Sequence, residues 1–227
     1  GHSLSKEQFE AQRAEVAQKQ LERAEQRKQE HEKAAEICKA SWEAGIEAHE
    51  DHPYLKAKGV PPIGLHENRA GVLHIPLHNA DGELRGLQTI DGEGRKRFVP
   101  GMEKSGNFHL LGEPGKDLSQ GEIILAEGYA TGATLHMATE KPVAVAFDAG
   151  NLEPVAKKLR EKFPNAAITI CADNDHKHTR RTPEGTEPWN KGVELAQRAA
   201  QEVGGKVVAP IFTDEERAKR LTDFNDL

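Results

Sequence analysis

Carboxylate side chains follow two apolar, strand-like segments of this chain, and their positions suggest metal-dependent chemistry. Glu127 comes directly after the run 123–126, and Asp173 and Asp175 come directly after the run 166–172. Open α/β sheets bind ligands beyond the carboxyl ends of their strands. Acids gathered at that edge would repel one another, and a divalent cation is the simplest remedy. Oxygen-only ligation suits Mg²⁺ or Mn²⁺, with substrate phosphates completing the coordination shell.

Each acidic motif also has a simpler interpretation. Glu127 could cap the helix that follows it, and Asp173-Asn174-Asp175 could be an Asx-rich turn. Alternate residues of an extended segment point the same way, so the two aspartates can converge on one ion. The occurrence of both motifs at the ends of neighbouring strands favours the metal site. Asp148 is a further candidate, although its surroundings fit an ordinary turn and helix cap better.

Strands and helices alternate from residue 121 onwards, and this alternation predicts the sheet that positions the acids. The predicted strands are 123–126, 143–147, 167–172 and 206–211, and the predicted helices are 130–139, 152–162 and 190–203. Such a pattern is typical of an α/β fold with a mainly parallel sheet covered by helices on both faces. Gly128 would allow a tight turn after the first strand, and Gly132 would let the first helix approach the sheet. The polar stretch 176–189 is predicted to be an exposed loop beside the acids.

The region before residue 121 predicts a small antiparallel β-rich unit. Segments 72–77 and 84–90 form a hairpin with an Asp-Gly turn, and a second turn at 91–94 leads to a third strand at 95–100. Short strands joined by glycine-containing turns indicate a subdomain distinct from the parallel sheet.

A long helix is predicted from about Ser5 to Glu50, ended by His52-Pro53. Its first part, up to Lys33, is mostly Glu, Gln, Lys, Arg and Ala, so we expect a solvated arm that links to an upstream domain, with a coiled-coil partner as the alternative. Apolar residues then recur at helical spacing and should form a docking face. They are Ala34, Ala35, Ile37, Cys38, Trp42 and Ile46.

These patterns divide the chain into three parts: a charged helical arm at 1–33, a helix and antiparallel unit at 34–120, and the α/β domain at 121–227. The opening Gly1-His2-Ser3 resembles a protease-cleavage scar from an expression tag, so we expect an excised piece of a longer protein.

Composition narrows the class of protein. The 227 residues carry a formal net charge of −6, which argues against blanket electrostatic binding to DNA but leaves room for a local basic groove. Cys38 and Cys171 have no CxxC partners, so a zinc finger within this chain is excluded and a disulfide framework is not expected. No stretch approaches the ~18 apolar residues of a membrane span, and a cytoplasmic location is the expectation.

The acidic motifs resemble a known family. Glu127-Gly-Tyr after one hydrophobic strand and Asp173-x-Asp175 after a later strand resemble the Toprim domain of primases, topoisomerases and related nucleases, over roughly residues 121–227. The order, spacing and strand context of the motifs all agree with that family. The resemblance implies a Toprim-type fold for this part of the chain.

Motifs elsewhere narrow the resemblance further. His52-Pro-Tyr-Leu, Arg95-Lys-Arg-Phe and the segment 107–112 resemble primase-like proteins of plasmids, phages and integrative elements, and more distantly the polymerase domain of bacterial primases. Asp223-Phe-Asn-Asp-Leu resembles the closing motif of that mobile-element group.

The resemblance also implies a set of site residues. These are the catalytic, metal-binding acids Glu127, Asp173 and Asp175, a later acidic pair Asp223 and Asp226 that would also bind metal, and the nucleotide- or DNA-binding residues Lys96, Arg97 and Lys104. Taken without the resemblance, the three basic residues could equally belong to a solvated β-hairpin. The resemblance implies that Tyr129 packs in the core and is not a nucleophile, since the tyrosines with which topoisomerases attack DNA lie outside the Toprim unit.

The leading hypothesis is a primase-type nucleotidyltransferase that uses Mg²⁺ or Mn²⁺ and acts on single-stranded DNA with nucleoside triphosphates, in mobile-element replication or conjugative transfer. Thr131 stands where bacterial primases carry an aspartate, and the zinc-binding module of a complete primase is missing here. A degenerate, non-catalytic Toprim domain attached to an upstream relaxase or helicase is therefore the alternative. A metal-dependent nuclease is a further one, and plasmid nicking without nucleotides would distinguish it.

Overall fold

The computed structural model describes residues 6–112, 121–175 and 179–227, and the statements below concern these residues. They form an α/β protein with a five-stranded antiparallel sheet, a five-stranded mostly parallel sheet and a long N-terminal helix. The predicted fold class is therefore confirmed. The expected tag scar lies outside the described residues.

The first sheet is antiparallel throughout, with its strands in chain order. The strands are β1 (Ile46–Glu47), β2 (His66–Glu67), β3 (Leu73–His78), β4 (Leu84–Ile90) and β5 (Lys96–Phe98). The predicted hairpin is confirmed as β3–β4, and Asn79 shapes its turn by accepting hydrogen bonds from the N–H groups of Asp81 and Glu83. Asp91 shapes the turn before β5 in the same way.

The second sheet is the predicted mainly parallel one. Its strands are β6 (His109–Leu111), β7 (Glu122–Ala126), β8 (Val143–Val145), β9 (Ala167–Cys171) and β12 (Lys206–Val208), in the spatial order β12-β9-β7-β8-β6. Only β6 runs antiparallel to its neighbour. Because the chain leaves the central strand β7 towards β8 and later returns to β9 on the other side, the strand order switches at β7.

Helices cover both faces of this sheet, as predicted. They are α3 (Tyr129–Thr139) on one face and α4 (Leu152–Lys162) and α5 (Lys191–Val203) on the other, followed by the short α6 (Asp214–Ala218). Gly132 permits the close approach of α3, because an added Cβ would lie 2.8 Å from Val145 Cγ2. Gly128 has φ −109° and ψ 157°, values open to any residue, so its backbone conformation does not depend on glycine.

The two sheets share one hydrophobic core. Residues of the antiparallel sheet and of α3 belong to a single buried cluster that includes Leu55, Ile75, Leu77, Tyr129 and Val145. Strand β6 precedes residue 121, where we placed the division between domains, yet it pairs with β8 of the second sheet. The division itself stays a prediction.

Helix α1 (Lys6–Glu43) forms the arm and ends earlier than predicted. The chain turns at Gly45, where a Cβ would lie 3.2 Å from His66 Cβ, and residues 46–47 pair with β2. Sheet pairing therefore overrides the helical pattern after Glu43. Pro53 does not end the long helix but begins the next one, α2 (Pro53–Lys58), where proline at the first turn is favourable.

The docking face of α1 is smaller than predicted. Ala34 and Cys38 are buried and pack towards β4, and Trp42 stacks on His66 with ring centroids 3.7 Å apart. Ile37 and Ile46 are 58% and 59% exposed, so their inclusion in the face was wrong. Arg85 binds Glu32 at 2.8 Å and so ties the end of the arm to the sheet.

Three predicted segments near the sheet edge differ from the structure. The polar stretch contains a hairpin, β10 (Thr179–Thr182) and β11 (Gly185–Pro188), stabilised by Arg180 across from Glu187, whereas residues 176–178 lie outside the described residues. Strand β8 ends at Val145, before Phe147 adopts φ 72°. Strand β12 ends before Pro210, which lacks a backbone donor. No helix among the described residues has the length and apolar character needed to cross a membrane.

Candidate metal and nucleotide site

The acidic residues lie where the strand order switches. Glu127 follows the central strand β7, and Asp173 and Asp175 follow its neighbour β9 in parallel register. Since the carboxyl ends of parallel strands meet at one edge, the fold brings these acids together, as the sequence predicts. We call Glu127, Asp173, Asp175 and Asp223 the acid rim.

Glu127 and Asp173 are half-buried and lack full hydrogen bonding. Glu127 Oε2 and Asp173 Oδ1 are buried, and neither has a hydrogen-bond partner among the described residues. Burial, followed by repulsion from Asp175 and Asp148, raises the pKa of Glu127 to about 7. Burial, followed by repulsion from Glu127, Asp223 and Asp175, raises the pKa of Asp173 to about 8. Carboxylates held in this way are suited to binding a cation.

The backbone around Asp175 is held tightly. Asp175 Oδ2 accepts a hydrogen bond from Gly192 N at 3.2 Å, and Asn190 Oδ1 accepts one from Asp175 N at 3.0 Å. A Cβ on Gly192 would lie 2.3 Å from the carbonyl oxygen of Asp173. The first turn of α5 therefore packs directly against the acid motif and fixes its direction.

The later acidic pair divides into two different environments. Asp223 joins the rim, where burial is the main cause that raises its pKa, and the Thr131 side chain hydrogen-bonds to it. Asp226 Oδ2 instead accepts hydrogen bonds from the N–H groups of Thr222 and Asp223, at 2.7 and 3.3 Å. Both carboxylates thus cap the same turn, and that of Asp223 also lies beside Asp173 at the rim.

Two lysines face the acid rim from the antiparallel part. The Lys96 ammonium lies 5.8 Å from the centre of the Tyr54 ring. The residue as a whole is exposed, but desolvation of its ammonium group lowers the pKa of Lys96, and the charge of nearby Lys58 lowers it further. The negative charges of Asp223 and Asp173 act in the opposite direction and raise this pKa. Lys58 in turn lies close enough to Asp223 to lower its pKa.

The other two predicted basic residues are placed differently. Arg97 is adjacent to Lys96 on β5, and adjacent strand residues point to opposite faces, so Arg97 turns away from the acids. Lys104 forms an ion pair with Asp148 and lies 5.1 Å from the Phe98 ring centre. The nucleotide-binding roles of all three residues stay predictions, and the geometry brings only Lys96 directly to the acid rim.

Asp148 is the turn and cap residue that its sequence context indicated. Its Oδ1 accepts a hydrogen bond from Asn151 N at 3.1 Å. Asn151 is itself buried, and its Nδ2 donates to the carbonyls of Lys104, Asn107 and Ala146 at 3.1, 3.0 and 2.9 Å. This one amide holds the Lys104 loop against the edge of the parallel sheet.

Tyr129 is a packing residue, as predicted. Its hydroxyl donates to Pro61 O at 2.6 Å and accepts from Ile63 N at 2.7 Å. The side chain is 1% exposed, and burial raises its pKa. A hydroxyl engaged on both sides and kept protonated is a poor nucleophile. It instead joins the Glu127-Gly-Tyr motif to the proline-rich turn of the antiparallel part.

The donor set fits a hard cation. Within the described ranges, no group of three or more His, Cys, Asp or Glu residues is placed so that together they could hold a metal ion. Nevertheless, two buried carboxylate oxygens lack partners at one rim, and Asp223 lies beside them. Such all-oxygen donors suit Mg²⁺ or Mn²⁺.

Sequence reasoning missed four residues of this site. Lys58 and Lys191 contribute positive charge, Thr131 binds Asp223, and Asn151 orders the adjoining loop. The sequence shows Thr131 only as a departure from the pattern of bacterial primases. Lys191 could have been found from the sequence, because it follows Asn190, which caps the start of α5 next to the acid motif. The local sequence pattern does not distinguish Lys58 or Asn151 as residues of the site.

The fold and the acid rim define a Toprim-type domain, and comparison with known proteins agrees. The Toprim domain family matches residues 122–227. Two proteins named DNA primase TraC, from Escherichia coli, are 34% and 35% identical to the chain over 226 and 218 residues, covering 96% and 95% of it. Residues 122–227 therefore belong to the Toprim domain family, and the chain is homologous to DNA primase TraC.

The chain spans 20% and 15% of the lengths of these two relatives. Among solved structures, the crystal structure of the primase fragment of the bacteriophage T7 primase-helicase protein matches 80% of this chain and 69% of its own, with a TM-score of 0.53 and 16% identity. At this identity the likeness concerns the fold. The family resemblance identified from the motifs is confirmed.

Proposed function

We propose that this chain is a primase-type nucleotidyltransferase module that depends on Mg²⁺ or Mn²⁺ and acts on single-stranded DNA with nucleoside triphosphates. The setting would be mobile-element replication or conjugative transfer, within a longer protein that carries relaxase or helicase domains. The observation that carries the proposal is the pair of buried, unpartnered oxygens of Glu127 and Asp173 at the switch point of the sheet.

Glu127, Asp173 and Asp223 would hold the ion, and Asp175 would add a further carboxylate from the same motif. When bound, the ion would neutralise the triphosphate and favour in-line displacement by a 3′-hydroxyl. The raised pKa values of Glu127 and Asp173 mean that protons and the cation compete for the same oxygens.

Lys96 and Lys58 would bind phosphate oxygens. Both residues belong to the antiparallel part, and their charges act on the rim: Lys96 on Asp173 and Lys58 on Asp223. A triphosphate placed between the lysines and the metal-binding acids would meet positive charge from both directions. Lys104 is already paired with Asp148 and would contact DNA only by exchanging that partner.

Primer synthesis on a single-stranded template with Mg²⁺ or Mn²⁺ tests the proposal. We expect product from the chain and none from Asp173→Ala. A chain that yields no product, while a longer parent protein does, would show that this module is insufficient for synthesis.

One observation favours the second candidate function, a non-catalytic Toprim domain that binds DNA or protein. Thr131 occupies the aspartate position of bacterial primases, and its side chain is used to hold Asp223. Isothermal titration with Mn²⁺ separates the two functions. A degenerate site should show no saturable binding that Asp173→Ala removes, whereas the metal-dependent enzyme should show such binding.

A further inference from the structure

The segment 222–227, which we call the closing segment, contacts the Asp173-x-Asp175 motif and helix α3. Asn174, between the two aspartates of its motif, donates its N–H to Thr222 O at 2.6 Å. Asp226 then caps the turn that follows, so the backbone of the closing segment is held in one shape. Asp223 is presented to the rim from this turn.

Asn225 connects the closing segment to the two halves of the molecule. Its Nδ2 donates to Lys58 O at 2.7 Å and to Thr134 Oγ1 at 3.0 Å. Lys58 is the last residue of α2 in the antiparallel part, and Thr134 lies on α3, which carries the Glu127-Gly-Tyr motif at its start. The backbone N–H of Asn225 donates to Asp223 Oδ1 at 2.7 Å.

These contacts oppose a repulsion. Asp223 faces the carboxylate of Asp173, and the two charges disfavour one another. A turn without fixed contacts would relieve this repulsion by turning Asp223 outwards. The amide of Asn225 prevents this movement, because its two N–H donors in one plane are bound to acceptors on different helices.

We infer that Asn225 is a positioning residue that fixes Asp223 in the acid rim and sets the distance between the metal-binding acids and Lys58. This inference rests on the proposed function, because it assumes that Asp223 binds the cation. The amide nitrogen of Asn225 is already bound to Lys58 O and Thr134 Oγ1, so we assign it no role as a ligand. Its effect passes through the backbone of α2, which carries Lys58, and through the turn that carries Asp223.

The test is Mn²⁺ affinity, measured by isothermal titration, for the wild type and for Asn225→Ala. Loss of an outer-shell partner lowers metal affinity by about 10–100-fold, and we expect a loss near the lower end of that range. Asn79→Ala is the matched control. Asn79 also orders a turn through side-chain hydrogen bonds, but it lies in the β3–β4 hairpin, so its variant should lose stability without losing Mn²⁺ affinity.

Thr134→Val removes one of the two acceptors while keeping the shape of the side chain. We expect a smaller loss of Mn²⁺ affinity than for Asn225→Ala, and no further loss when the two changes are combined, because both act through the same contact. Additive losses would show that Asn225 does not act through Thr134.

Further outcomes separate this inference from the proposed function. Unchanged Mn²⁺ affinity in Asn225→Ala, with reduced affinity in Asp223→Asn, would overturn the positioning role alone. Unchanged affinity in Asp223→Asn would overturn it as well, since there would be no ligand to position. Unchanged affinity in Asp173→Asn would instead remove the metal site on which the proposed function depends.

Discussion

The acid rim and the arm, residues 6–33 of α1, carry their charges in opposite ways. On the arm, acidic and basic side chains are exposed and spaced for pairing along the helix, as in Lys19 with Glu15 at 2.5 Å. At the rim, buried oxygens of Glu127 and Asp173 have no partner in the described part of the chain. The more regular ion pairs are therefore on the arm, and the buried oxygens without partners are at the rim.

The difference follows from solvation. Exposed ion pairs stabilise a protein little, because water already solvates both charges. Buried carboxylates without partners destabilise it, because ionisation must occur without water. A fold that retains such buried oxygens at the switch point of its sheet gives up stability there, and this supports the rim as the candidate functional site.

The largest expected effect is that of Asp173→Asn. Loss of a metal-binding carboxylate removes several kcal/mol of transition-state stabilisation, so primer synthesis should fall on the order of 10³-fold. The same change removes a buried charge, and the metal-free protein should gain several degrees in Tm at pH 8. Asp91→Asn, in an exposed turn, is the control, and a fall in Tm for Asp173→Asn would contradict the comparison.

The next effect contrasts two adjacent residues of β5. Lys96→Ala should raise the KM for the nucleoside triphosphate by about 10–100-fold, the usual worth of a hydrogen bond to a charged group. Arg97→Ala should have a smaller effect on that KM, because its side chain lies on the other face of the strand. Steady-state kinetics of both variants measures this difference in KM. Equal increases in KM would show that the face of the strand on which a residue lies does not determine its contribution to nucleotide binding.

The pH dependence of stability should also distinguish the rim. Folding raises the pKa of Glu127 to about 7 and that of Asp173 to about 8, so the stability they contribute is complete at low pH. It is lost as the pH rises through these values, and the metal-free Tm should fall between pH 6 and pH 9 on the order of several degrees. Thermal unfolding with EDTA measures this fall, which Mn²⁺ should reverse.

Another buried group limits stability on the acidic side. Burial lowers the pKa of His109 to about 4, so its contribution is present above its unfolded pKa and is lost as the pH falls towards 4. A metal-free protein whose Tm rises steadily from pH 6 to pH 9 would contradict the raised pKa values of Glu127 and Asp173.

The smallest effect belongs to the arm. Lys19→Ala breaks an exposed pair, and we expect Tm to change by about 1 °C or less, with primer synthesis unaltered. A loss of several degrees would show that the arm packs against a partner, as a coiled coil would require.

Local patterns were sufficient for much of the fold. Apolar runs separated by helical segments predicted the parallel sheet and its cover, and the Asp-Gly turn predicted the β3–β4 hairpin. Prediction failed where contacts distant in sequence overrode local preference. Residues 46–47 are in a strand because β2 lies beside them, and the hairpin at 179–188 depends on Arg180 meeting Glu187 and Glu194.

The sequence alone determined which acids end which strands, because strand periodicity and residue type are local properties. On this basis it identified Glu127, Asp173 and Asp175, and the closing motif drew attention to Asp223. Only the tertiary structure showed that Asp223, and not Asp226, lies beside Asp173 at the rim, and it brought Lys58 and Asn225 to the same place. The physical reason is that burial, repulsion and shared hydrogen bonds act between residues far apart in the chain.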